Sequence, residues 1–135
     1  MDVLITAPAR RDIEALAAFR PKPGAWGALV GHRRGPRIVV ERAVLGGAPG
    51  TRPDETTPAV LDRIFPGRLV GLAVVRPGPA FRRAVLGPAW YGRVVLSVTG
   101  PAAGAILRPA LVEYERRFFL APVRLAPPGK ERSHE

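Results

Sequence analysis

The chain of 135 residues contains no cysteine. Disulfides, thiolate metal sites and cysteine nucleophiles are therefore excluded. Histidine is nearly as scarce, with only His32 and His134, and serine is limited to Ser97 and Ser133. No apolar run approaches the roughly 20 residues that cross a bilayer. The opening stretch "MDVLITAPARRDIEAL" lacks a basic n-region and soon reaches charged residues. No signal peptide is expected from that pattern, and a cytoplasmic location is the expectation. Acids are also few: 11 Asp and Glu stand against 21 Lys and Arg, giving a net charge of +10.

Apolar residues make up 47% of the chain, enough for one domain with its own core. The basic residues are nearly all arginine. Arg10-Arg11, Arg33-Arg34, Arg82-Arg83 and Arg116-Arg117 fall in four separate segments. Scattered charge of this kind reads first as a solvated surface. Binding of a polyanion such as DNA or RNA is the alternative it leaves open.

Periodicity orders the elements. Residues 8–19, "PARRDIEALAAF", carry a helical stripe of Ile13, Leu16, Ala17 and Phe19 after a first-turn proline. Residues 25–31 and 37–45 form a hairpin of buried strands around "HRRGPR". The Gly/Pro-rich stretch 46–58 is a loop. A second helix follows near 56–65, with Val60, Leu61 and Ile64 as its buried side. Strands are expected over 68–75 and 92–100, and residues 79–88 are irregular or a short helix. A final antiparallel pair spans 104–112 and 115–125, edge-like or bent because of Pro109 and Pro122. Residues 1–126 thus form one domain and 127–135 a frayed tail.

Two stretches resemble the MPN/JAB domain family, the JAMM metalloproteases and their inactive relatives. Gly27-Ala28-Leu29-Val30-Gly31 is similar to the family's Gly-Leu-Leu-x-Gly hairpin segment. "RLVGLAVVRPGPAF", with Val70-Gly71 and Pro77-Gly78, is similar to its Val-Gly-x-x-His-x-His-Pro segment. The resemblance implies an α+β fold, a mixed and mostly antiparallel sheet flanked by two or three helices. Active members hold zinc through two histidines and an aspartate, with a glutamate base and an assisting serine. Carried over residue by residue, Gly24 stands at the glutamate position, Val74 and Arg76 at the histidines, and "AFRRAVLGPAW" has no Ser-x-x-Asp. Valine and glycine offer no side-chain donor to a metal, and a fixed cation repels one. No metal and no cofactor are therefore expected.

The remaining inventory points the same way. His32 reads as a solvated residue of a basic turn. Ser97 lies inside a strand without the elbow that presents a nucleophile. Asp12, Glu14, Asp62, Glu113 and Glu115 read as surface acids, and Asp54-Glu55 as compensation for the second helix dipole. No phosphate-binding glycine motif is present. The expectation is a non-enzymatic, MPN/JAB-like scaffold that acts by protein contact. Its partner would be another MPN/JAB domain or a second copy of itself, with Trp90, Tyr91, Phe118 and Phe119 as the interface. A basic nucleic-acid-binding domain is the alternative.

Overall fold

The computed structural model describes residues 1–20, 22–46 and 51–127. The glycine-rich segment 47–50 and the tail beyond residue 127 lie outside the described residues. The elements run β1 (Asp2–Ile5), α1 (Ala7–Phe19), β2 (Trp26–Arg34), β3 (Arg37–Leu45), α2 (Thr57–Ile64) and β4 (Leu69–Val75). They continue through α3 (Pro79–Val85), a single 3-10 turn (Pro88–Trp90), β5 (Val94–Thr99), β6 (Ile106–Glu115), β7 (Arg117–Pro122) and β8 (Arg124–Leu125). Of these, β1 has no counterpart in the sequence reading. It is only four residues long, and its partners are distant in the chain.

One sheet holds all eight strands in the order β7-β6-β5-β4-β2-β3-β1-β8. Because β7 and β8 are separated only by Val123, the last stretch of chain pairs with β6 over its first part. It then crosses to pair in parallel with β1, with Arg124 opposite Asp2 and Leu125 opposite Val3. The sheet is thus nearly closed and barrel-like. This corrects the expected arrangement, a mixed and mostly antiparallel sheet flanked by two or three helices, while keeping the α+β class.

Closure requires strong curvature, and glycine supplies it. The β2 pairing slips by one residue at Val30/Gly31 toward β3 and at Leu29/Val30 toward β4. Such bulges bend a strand and raise its twist. A Cβ on Gly31 would collide with the carbonyl of Val39, and one on Gly71 with the carbonyl of Val94. The glycines of both family-like stretches thus serve close backbone approach between neighbouring strands.

The two faces of the sheet bury different clusters. The interior gathers side chains from strands all round the ring, among them Val3, Leu29, Val40, Ala73, Leu96 and Leu111. Ala9, Ile13 and Leu16 of α1 pack against them. That helix begins at Thr6, whose hydroxyl accepts from the Ala9 N–H at 3.2 Å. It also covers the half of β3 beyond β1: Thr6 donates its hydroxyl to the Glu41 carbonyl, and the Ala43 N–H donates to Asp12. On the outer face, Trp26, Leu72, Val74, Val95 and Val112 pack under Phe81, Val85 and Trp90. Every buried residue among those described is apolar.

Two further expectations need correction. On α2 only Leu61 packs against the outer cluster; Val60 and Ile64 are exposed. Eight residues over a curved surface can bury only a narrow line. In addition, β6 is an inner strand between β5 and β7 despite Pro109. The Pro109 carbonyl accepts from Val123, so the imino nitrogen faces the β7/β8 break, where a missing N–H costs little.

Candidate functional site

The start of β2 and the end of β4 lie side by side. Trp26 is opposite Val74, the Gly24 N–H donates to the Val75 carbonyl at 2.7 Å, and the Val75 N–H donates to the Ala25 carbonyl at 2.8 Å. Gly24 and Arg76 are therefore neighbours. Both have positive φ, +86° and +42°. Glycine accepts that conformation readily, whereas arginine does so only where the surroundings impose it. Here the Arg76 N–H is held by the Val98 carbonyl at 3.0 Å, as the chain leaves the sheet toward α3.

Val74 is fully buried on the outer face, opposite Trp26 on one side and Ser97 on the other. A side chain here faces packing atoms rather than solvent. Beside it the indole N–H of Trp26 is buried without a hydrogen-bond partner among the described residues. A Cβ on Gly46 would stand 2.5 Å from the Trp26 ring, so the chain crosses directly over this indole. Among the described residues, no three of His, Asp and Glu come close enough together to hold a metal ion.

His32 sits on β2 rather than in the turn, half exposed, with Nδ1 3.1 Å from Glu41 Oε1. Arg68 donates to the same carboxylate oxygen at 2.8 Å. The hydrogen bond with His32, followed by the Arg68 charge, holds the Glu41 carboxyl below its usual range. His32 is six residues along β2 from Trp26, roughly 20 Å of extended strand away from the end beside Gly24, so the fold does not bring the two together.

A cleft of about 700 Å³ opens between residues 52–56 and the segment from Arg83 to Trp90. Its Asp54 is committed to starting α2. One carboxylate oxygen accepts from the backbone N–H groups of Thr56 and Thr57 and from both hydroxyls, while the Asp54 N–H donates to the Thr57 hydroxyl. The Thr56 hydroxyl, then its N–H, keeps this carboxyl low. Asp54 thus locks the turn that leads into α2, ahead of the N-cap residue Thr56.

The four expected interface aromatics separate. Trp90 is 1% exposed, and its indole N–H donates to the Asp54 carbonyl at 3.2 Å. It is a core residue, not an interface anchor, because the 3-10 turn that begins at Pro88 lays its side chain over the outer face of the sheet. Tyr91 is 55% exposed, Phe119 is exposed, and Phe118 is half-buried. Phe118 makes edge contacts with Tyr91 (6.5 Å between centroids) and with Tyr114 (4.8 Å). The sequence reading missed Tyr114. Its signal is the two-residue spacing from Val112, which puts both on the outer face of β6.

With this geometry in place, comparison with known proteins adds fold but no function. No protein-family model matches the chain, and a search of curated protein sequences returns no match. Among solved structures, the chain is similar to the solution structure of protein DSY2949 from Desulfitobacterium hafniense. The TM-score is 0.63 at 18% identity, over 98% of this chain and 99% of that one. The likeness extends over essentially the whole domain and speaks to the fold alone. No helix among the described residues is long and apolar enough to cross a membrane.

Proposed function

We propose that the chain is a catalytically inactive MPN/JAB-like domain that works through protein contact. The observation that carries this reading is the pairing of Gly24 and Val74 with Arg76 at the junction of β2 and β4. The resemblance puts a base and two metal ligands at these positions. The chain has instead a backbone turn, a fully buried apolar side chain and a cation. Exposed aromatics at the far end of the domain give the contact reading its surface, since exposed apolar clusters mark interaction sites.

Two measurements on the purified chain test it. Elemental analysis after dialysis against a chelator is expected to find no stoichiometric zinc. Retention on DNA and RNA at about 0.15 M salt, where the Debye length is roughly 8 Å, is expected to be weak and to vanish as salt rises. Zinc held against the chelator, or sub-micromolar nucleic-acid binding at that salt, overturns the proposal.

A further inference from the structure

Beyond Leu111, β6 leaves β5 behind. Val94 is opposite Leu111, and the last bonds between the two sides run from Val112 to Arg93 and from Gly92 to Val112. Residues 113–119 therefore project as a two-stranded arm, turned at Arg116 with φ +67°. The arm carries Tyr114 and Phe118 on its outer side and Phe119, opposite Glu113, on the other.

The outer edge of β7 is unpaired among the described residues. Its backbone direction follows from the ladder. The Val123 N–H points to β6, at the Pro109 carbonyl, so Ala121 and Phe119 point that way too. In an antiparallel ladder the alternate residues face outward. Phe118 and Leu120 thus present both an N–H and a C=O to the open side, and Pro122 a C=O.

We propose that this edge pairs with the same edge of a second copy of the chain, antiparallel about a twofold axis at Phe119. In that register Phe118 of each copy lies opposite Leu120 of the other, and the outward groups form four N–H···O=C bonds. Phe119 meets its symmetry mate on one face of the joined sheet. Phe118 and Leu120 alternate on the other, and Arg117 falls opposite Ala121. A shift of the axis to Leu120 sets Phe118 against Pro122, which has no N–H to give.

Charge selects this edge for self-association. The protein carries +10 overall, so most approaches between two copies are repulsive. The arm itself holds Glu113 and Glu115 with Arg116 and Arg117 and is locally neutral. No like charges face one another in the pairing described. An unpaired strand edge with apolar side chains on both faces is the element that adds a strand from another chain. The inference rests on the protein-contact reading and names the partner.

Sedimentation equilibrium from about 1 μM to about 1 mM at 0.15 M salt tests it, spanning weak to moderate affinity. The expected result is a reversible monomer–dimer equilibrium. Phe119→Lys and Phe119→Glu, both surface changes, each weaken the dimer at least about tenfold, and mixing the two variants restores association. Ile64→Lys, at an exposed site on α2, leaves it unchanged. Hydrogen exchange at the Phe118 and Leu120 amides slows as concentration rises. A wild-type chain that stays monomeric, or a dimer that ignores Phe119→Lys but is lost in Ile64→Lys, overturns the inference. Neither result bears on the zinc and nucleic-acid measurements, so the underlying reading stands or falls separately.

Discussion

The carboxylate of Asp12, on α1, accepts a hydrogen bond from the backbone N–H of Ala43, on β3, at 3.0 Å, while binding Arg42 through both oxygens at 2.7 and 3.1 Å. A helix side chain thereby takes the place of a missing strand. Asp12→Ala leaves the Ala43 N–H unpaired beneath the helix and is expected to cost about 2 kcal/mol. Asp12→Asn keeps an acceptor but loses the ion pair, and is expected to cost about half as much. Urea unfolding, with the slope unchanged, checks both.

Acid stability follows from the same kind of contact. Hydrogen bonds from Arg42 to Asp12, from Arg37 to Asp2, from His32 to Glu41 and from the Thr56 hydroxyl to Asp54 lower the pKa of each carboxyl in the folded state. The unfolded chain then binds more protons than the native one within the window between the two values. Stability from these groups is complete above the ordinary carboxylate range near pH 4 and is lost as pH falls through the lowered values. Melting temperature is expected to be flat from about pH 7 to 5 and to drop below about 4. The drop is expected to be shallower in Asp12→Asn.

The two tryptophans offer a matched comparison. Both are buried, but the Trp90 indole N–H reaches the Asp54 carbonyl, while that of Trp26 has no partner among the described residues. Replacement by phenylalanine removes similar volume at each site. Trp90→Phe is expected to cost about 2 kcal/mol and Trp26→Phe under about 1, because the second change also removes an unsatisfied donor. Thermal melts of the pair read the difference.

Gly31→Ala and Gly71→Ala force a methyl against a neighbouring strand's carbonyl and are expected to cost about 3 kcal/mol each, with much of the protein recovered insoluble. Gly35→Ala, in the β2–β3 turn at φ +55° with open space around it, is expected to cost only about 1–2 kcal/mol. Differential scanning calorimetry ranks the three.

Much of the fold was legible because local periodicity and tertiary burial agree. Of the expected stripe, Ile13, Leu16 and Ala17 are both helical and buried, whereas Phe19, at the last turn of α1, is exposed; "RIVVERAVL" is both β-branched and a strand. Legibility failed where distant pairing decides. The four residues of β1 have no local pattern, and their strand exists because residues 37–40 and 124–125 flank it. Val60 and Ile64 are placed by the curvature of the sheet, which no helical stripe encodes. Trp90 was misread because a proline-initiated turn hides its ring while exposing the next residue, Tyr91. The juxtaposition of Gly24 with Arg76 comes from the pairing of β2 with β4 across 51 intervening residues, which no local pattern encodes. The arm was half readable: its aromatics stand out, but the end of β5 that leaves them projecting does not.

Sharing the last strand between β6 and β1 also sets the order of assembly. Residues 124–126 complete the ring beside Val3, nearly the whole chain away in sequence. A nascent chain can form α1 and the β2–β3 hairpin early, since both are local, but its interior stays unsealed until these residues clear the ribosome. Refolding is correspondingly expected on the slow side for its size, in milliseconds to seconds, because loop closure over such a span comes before the contacts that reward it. Until that moment the apolar lining of the ring is open to other chains, and a truncation that removes residues 117–126 exposes it permanently.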